Sequence, residues 1–179
     1  MKNKINNLKL TMNKRKNGFT RIKFLAILVI IAVVIFFIFS NFNPLIKIQK
    51  GNDDRRKSDL AQIQKSLDFF YKNNGKYPFS TKKYEIKRLD ETVVTRQSPS
   101  WFPYMNTVPF DLNMSKNYVY YANPSGQSYW LYASLDLGTK DPQACNNGSP
   151  CKSLPINEIP ISACGGICNY GVSSPNASP

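Results

Sequence analysis

The sequence contains no histidine in 179 residues. Imidazole general bases, Ser-His-Asp and Cys-His nucleophile systems and histidine-ligated metals are therefore excluded within this chain. Acidic residues are scarce, 11 against 24 basic, and none lies in residues 1–23, which hold eight of the basic side chains. The formal charge of +13 thus describes mainly a leader, since the other 156 residues carry 16 basic against 11 acidic side chains. That balance makes a poor basic stripe for phosphates, and nucleic acid is not an expected partner. No glycine-rich phosphate loop precedes a helix, and the carboxylates are scattered. No catalytic residue, cofactor or metal site is assigned, and an enzyme is not expected.

What is present is one strong apolar run. Phe24 to Phe39 contains no polar residue, and the uncharged stretch extends through Ile46, 23 residues in all. At 1.5 Å per residue the strictly apolar part is roughly 24 Å long, so the Ser40–Asn43 section must sit near the far interface of a hydrocarbon core roughly 30 Å thick. A segment in lipid must satisfy its own backbone, which makes it helical despite its β-branched residues. The basic cluster before it places residues 1–23 in the cytoplasm and the chain after about residue 46 outside, as a single-pass protein of the cytoplasmic membrane. A cleaved secretory signal is the alternative; the run exceeds the usual h-region and no small-x-small site follows Phe39.

The border of this segment reads Lys14-Arg15-Lys16-Asn17-Gly18-Phe19-Thr20-Arg21-Ile22-Lys23-Phe24-Leu25. It resembles the processing and methylation signal of type IV prepilins and type II secretion pseudopilins. The resemblance implies cleavage by prepilin peptidase between Gly18 and Phe19, methylation of the new N-terminal Phe19, and filament assembly through Phe24, Leu25, Ile27, Leu28, Ile31, Val34, Ile35 and Phe39. One position departs: the family usually places a glutamate four residues after the new N-terminus, and this chain has Lys23 there.

Beyond Pro44 and Gly51, both able to interrupt a helix, Asn52-Asp53-Asp54 offers capping oxygens, and a helix is expected to restart there. Leu60, Ile63, Leu67, Phe70 and Tyr71 follow at spacings of three and four, with Arg56, Lys57, Asp59, Lys65, Asp68 and Lys72 on the other faces. Asn73-Asn74-Gly75 is a strong stop. This amphipathic helix ending in aromatics, followed by Asn-Gly and Tyr77-Pro78, adds to the resemblance to major pseudopilins. Leu60, Ile63, Leu67 and Phe70 are then the residues joining head to rod.

From Phe79 to Asp111 the chain reads as loop with one minor strand at Thr92–Thr95. Trp101, Phe102, Pro103 and Tyr104 form an aromatic cluster suited to covering a sheet or to making a contact surface. Residues 117–122 and 129–135 read as two antiparallel strands joined by a turn at 123–127. Leu131, Ala133 and Leu135 would face the helix, with Trp130, Tyr132 and Ser134 opposite. Cys145, Cys151, Cys164 and Cys168 sit in the last 35 residues. An even count outside the membrane favours two disulfides, with three pairings open and a four-cysteine zinc site as the alternative. Asp136 and Asp141 lie near where some major pseudopilins bind calcium, but lacking an oxygen-ligand spacing they read as solvated turn residues. Residues 171–179 read as a frayed end.

The expected architecture is α+β. A long N-terminal helix, half transmembrane and half amphipathic, packs on a small antiparallel sheet with a disulfide-stapled C-terminal loop. The expected segments are a leader (1–18), an assembly helix (19–46), a pilin-like head (47–140) and a cysteine-containing tail (141–179). The expected function is that of a structural subunit of a type II secretion or type IV pilus filament, whose partners are the membrane, prepilin peptidase and identical or homologous subunits. The alternatives are a membrane-anchored binding domain that recognises its ligand through Trp101, Phe102, Tyr104 and the C-terminal loop, and a DNA-uptake pilin.

Overall fold

The computed structural model describes residues 20–41, 43–152 and 159–179. The chain divides into two compact units, Met1–Asn43 and Pro44–Pro179. In the first, α1 (Arg21–Asn41) is a single 21-residue helix, about 31 Å long at 1.5 Å per residue. Its large apolar side chains are all exposed, from 43% at Ile27 to 79% at Ile22. It is long and apolar enough to cross a membrane.

The second unit opens with α2 (Pro44–Asn74), a 31-residue helix. The expected restart at Asn52–Asp54 is therefore eight residues too late. Pro44 occupies the first helical position, where its missing N–H costs nothing. Gly51 lies inside the helix in open space, so it weakens α2 without breaking it. Asp53 does not cap this helix; it is 1% exposed and caps another segment, described below. The expected stop is present. Gly75 adopts φ +68° and donates its N–H to Tyr71 O at 2.8 Å, while Asn74 Nδ2 donates to Phe70 O at 2.8 Å.

Three antiparallel strands follow in the order β1 (Val119–Ala122), β2 (Tyr129–Ala133), β3 (Tyr170–Ser173). The β1–β2 register sets Val119 opposite Tyr132 and Ala122 opposite Tyr129; β2–β3 sets Leu131 opposite Val172. At the hairpin, Gly126 (φ +69°) brings its backbone against Lys76 and Tyr77, and Gly126 O accepts the Tyr77 N–H at 2.7 Å. Each hairpin strand is two residues shorter than its expected range, because the tail takes those positions. Asn117 N donates to Cys164 O, and Leu135 N donates to Asn169 Oδ1.

Alternation along β2 divides the core. On one face Tyr129, Leu131 and Ala133 pack with Tyr120, Ala122 and the α2 residues Leu60, Ile63, Leu67 and Phe70, all four of which are at most 2% exposed. Each such burial contributes about 1.5–3 kcal/mol. The other face, with Val119 and Tyr132, is covered by Cys151, Ile159, Cys164 and Cys168. The cysteine segment is thus a third layer over aromatic surface that a two-layer head would leave wet.

The expectation of a frayed end at 171–179 is overturned. Tyr170–Ser173 supplies β3, and Ser174 is 1% exposed, exchanging hydrogen bonds with Tyr129. Trp130 Nε1 donates to Ser178 O at 3.0 Å. The physical reason is that β2 would otherwise be an open edge with unpaired backbone groups. The cysteines pair locally, Cys145 with Cys151 and Cys164 with Cys168, so all four sulfurs are committed to disulfides and a four-thiolate zinc site is excluded.

The segment between Phe79 and Asp111 is mostly loop, held by the isolated bridges Ser80–Ile86, Lys87–Val93 and Trp101–Met105. The aromatic cluster divides. Trp101 is 1% exposed and stacks on Phe70 at 5.6 Å between centroids, with Tyr104 4.7 Å from Phe70. Phe102, joined to Pro103 by a cis peptide bond, is 79% exposed.

Candidate functional site

Two arrangements stand out, one in each unit. The first is the surface of α1. Phe24, Leu25, Ile27, Leu28, Ile31, Val34, Ile35 and Phe39 all point outward from a helix that is apolar on every side. Such a helix is matched to lipid or to other helices, not to one flank of a globular core. Arg21 and Lys23 lie exposed in its first turn, which holds no acidic residue. Gly18 and Phe19, the expected processing pair, lie outside the described residues.

The second is a buried charge cluster centred on Arg56 of α2. Following the buried stripe of α2 back from Phe70 through Leu67, Ile63 and Leu60, the next positions at the same spacing are Arg56 and Asp53. Both face inward, where composition alone would put them in solvent. The Arg56 guanidinium is 3% exposed. Its Nε donates to Asp111 Oδ2 at 2.6 Å and Nη2 to Asp111 Oδ1 at 3.3 Å, a two-pronged grip. Nη1 donates to Asp53 Oδ1 at 2.7 Å and to Asp136 Oδ2 at 2.8 Å. Asp53 in turn accepts the backbone N–H groups of Asp136 and Leu137, both at 2.8 Å. Lys116 Nζ donates to Asp136 Oδ1 and to Ser134 O.

Burial acts on these groups first and their partners outweigh it. Desolvation would lower the Arg56 pKa, yet the hydrogen bonds it donates to Asp111, Asp136 and Asp53 raise it above the ordinary arginine value. Desolvation would raise the Asp136 carboxyl, yet Lys116 and Arg56 hold it below the usual carboxylate range. At the edge of the cluster, Tyr118 donates its hydroxyl to Asp59 Oδ2 at 2.7 Å, and burial followed by that carboxylate pushes the phenol well above its ordinary value. Asp141 pairs with Lys57, which outweighs desolvation and depresses its carboxyl. The expectation that Asp136 and Asp141 are solvated turn residues is corrected: each neutralises a cation of the helix–sheet assembly. Arg56 and Asp59, expected on the polar faces, are buried.

The cluster can hold; its carboxylates are occupied by cations or backbone N–H groups. It ties α2 to the loop at Asp111 and to the segment leaving β2, three parts of the chain separated by 55 and 80 residues. Among the described residues no group of three His, Cys, Asp or Glu is placed to hold a metal ion. The three carboxylates enclose a guanidinium where a cation would have to sit. Sequence reading missed Arg56 and Asp111 as partners. The available signal was the continuation of the apolar stripe into charged positions.

The residues expected to join head and rod, Leu60, Ile63, Leu67 and Phe70, lie together in the core of the second unit. Of the aromatics in the alternative binding surface, Trp101 is enclosed, Tyr104 half-buried and Phe102 exposed. In comparisons with protein-family models, curated proteins and solved structures, nothing matches this chain.

Proposed function

We propose that this chain is a structural subunit of the pilin and pseudopilin kind, held in the cytoplasmic membrane by α1, with its head outside, and later assembled into a type II secretion or type IV pilus filament. The observation that carries the reading is α1 itself, 21 residues with its apolar side chains turned outward on every face. Among the described residues none of its large apolar side chains is buried, and such surface suits lipid first and then neighbouring helices. A heterologous helix-to-helix contact does not close on itself and so propagates a fibre. The leader ending at Gly18, followed by Phe19, and the α2-plus-sheet head with its cysteine layer agree with this reading. The work proposed is packing.

Intact mass of the protein purified from membranes tests it. A mature chain beginning at N-methylated Phe19 is expected, with Gly18→Leu blocking both the cut and polymerisation. Retention of Met1 together with unchanged behaviour of Gly18→Leu would sink the filament reading. The exposed Phe102 favours a second reading, an anchored domain that binds a ligand at its aromatic surface. That reading expects Met1 retained and binding lost in Phe102→Ser.

A further inference from the structure

The head holds two adjoining cavities that neither the charge cluster nor the proposed packing role uses. The inner one, about 40 Å³, is walled by Ile63, Ile86, Val94, Val108 and Leu131, each at most 5% exposed. The outer one, about 340 Å³, carries the polar residues Lys83, Arg96, Gln97 and Asn117. Glu85, Phe110 and Tyr118 line both, so the two meet along that wall. An apolar recess behind a mouth with a few polar groups, several hundred Å³ in all, is the usual form of a small-molecule site.

The charges at this mouth are uncommitted. Arg96 donates to two backbone carbonyls, Asp111 O at 2.8 Å and Lys116 O at 3.0 Å, which leaves part of its five-donor fork to spare. Its guanidinium carbon lies 5.4 Å from the ring centroid of Phe110, a wall of both cavities. Glu85 accepts the Thr81 hydroxyl at Oε2, at 3.3 Å, and its second carboxylate oxygen is open. Among the described residues Glu85, Arg96 and Lys83 have no ion-pair partner. A half-buried cation and a half-buried anion beside an apolar recess match a ligand that brings both signs of charge and an apolar group.

Size narrows the apolar group. An apolar cavity of roughly 150 Å³ admits a benzene ring, and the inner cavity is far smaller. It suits a short aliphatic branch and excludes an aromatic side chain. From the cavities and the charges at their junction we infer that the head binds a free aliphatic α-amino acid in its zwitterionic form. The side chain enters among Ile86, Val94 and Leu131. The ammonium meets Glu85 where the cavities join, and the carboxylate meets Arg96 in the outer one, with Lys83 adding positive charge. All of these residues belong to the second unit, so the site does not depend on α1 or on filament assembly.

The test is calorimetric titration of the full chain in nanodiscs with L-leucine and L-valine, with empty nanodiscs as the blank. Saturable binding of both is expected, and none of L-phenylalanine. Removing one charge from the ligand, as in isoamylamine or isocaproate, is expected to weaken binding about tenfold or more, as are Glu85→Gln and Arg96→Gln in the protein. Arg96 also holds two loop carbonyls, so thermal melts accompany each variant, and Glu85→Gln decides if Arg96→Gln fails to fold. Val94→Ile keeps every polar group and adds one methylene to the apolar wall; it is expected to weaken leucine more than valine. No saturable heat with either amino acid overturns the inference. Phenylalanine, isoamylamine or isocaproate binding as tightly as leucine does the same, as does affinity unchanged by both Glu85→Gln and Val94→Ile.

Discussion

The two helices make opposite use of apolar residues. In α1 they cover the whole circumference and none of the large ones is buried; in α2 they are confined to one stripe and the four that matter are almost fully enclosed. The contrast lies in what the same chain offers each helix. Leu60, Ile63, Leu67 and Phe70 meet a sheet face of Tyr120, Tyr129 and Leu131, so their burial is complete within the second unit. Nothing of that sort surrounds Phe24 to Phe39 among the described residues of the first unit. The apolar stripe of α2 is enclosed within the head, whereas the large apolar side chains of α1 remain exposed among the described residues.

Substitutions break or sharpen this contrast, the strongest first. Arg56→Ala leaves Asp53, Asp111 and Asp136 without their shared cation. The head is expected to lose about 3–5 kcal/mol, read as a fall in its urea midpoint in detergent, with Arg56→Lys intermediate because it cannot grip Asp111 with two prongs. Ile31→Arg acts on the other side of the comparison. Membrane insertion is expected to weaken by about 2.5–3.5 kcal/mol in a translocation assay, with the melting of the head unmoved. A head that melts earlier in Ile31→Arg would show that the substitution in α1 reaches the core of the second unit.

Reducing the disulfides should have a smaller effect, confined to the tail layer. Each closes a short loop, Cys145–Cys151 and Cys164–Cys168, and losing either is expected to cost about 2 kcal/mol in thermal melts. The helix-facing core should hold while Tyr132 becomes accessible. A loss twice that size would mean that the tail supports the α2 face as well.

Acid should act more weakly still, and only on the head. The Asp136 and Asp141 carboxyls are held below their ordinary value of 3.8. Their contribution is therefore fully present above that pH and is lost as pH falls through their lower folded values. A melt-against-pH series should show an acid limb beginning near pH 4 that Asp136→Asn flattens; an unchanged limb would assign acid sensitivity elsewhere. Smallest of all, Phe102→Ser should change head stability by less than about 0.5 kcal/mol, because the ring is exposed.

Much of this was legible in the sequence because it depends on spacing. The stripe from Leu60 to Phe70, the stop at Gly75, the hairpin at 123–127 and the facing of Leu131 against Tyr132 all follow from periods of 3.6 and 2 and from turn residues. The start of α2 was misplaced because Pro44 and Gly51 are read as breakers whichever position they occupy, and only the first helical position excuses a proline. The charge cluster was not legible at all. Asp111 and Asp136 are 55 and 80 residues from Arg56, and nothing local in any of the three marks the others as partners.

By itself the sequence determined that one helix is apolar on every side and another on one side, because side-chain chemistry and helical period are local properties. It also determined that four cysteines and a short hairpin belong to the part beyond the apolar run. Only the tertiary structure decided which cysteines pair, that Tyr170–Ser173 completes the sheet, and that Arg56 is buried among three carboxylates. Those outcomes depend on which distant segments the folded backbone brings within hydrogen-bond reach, and burial makes an unpaired strand edge or an unpaired charge too costly to leave.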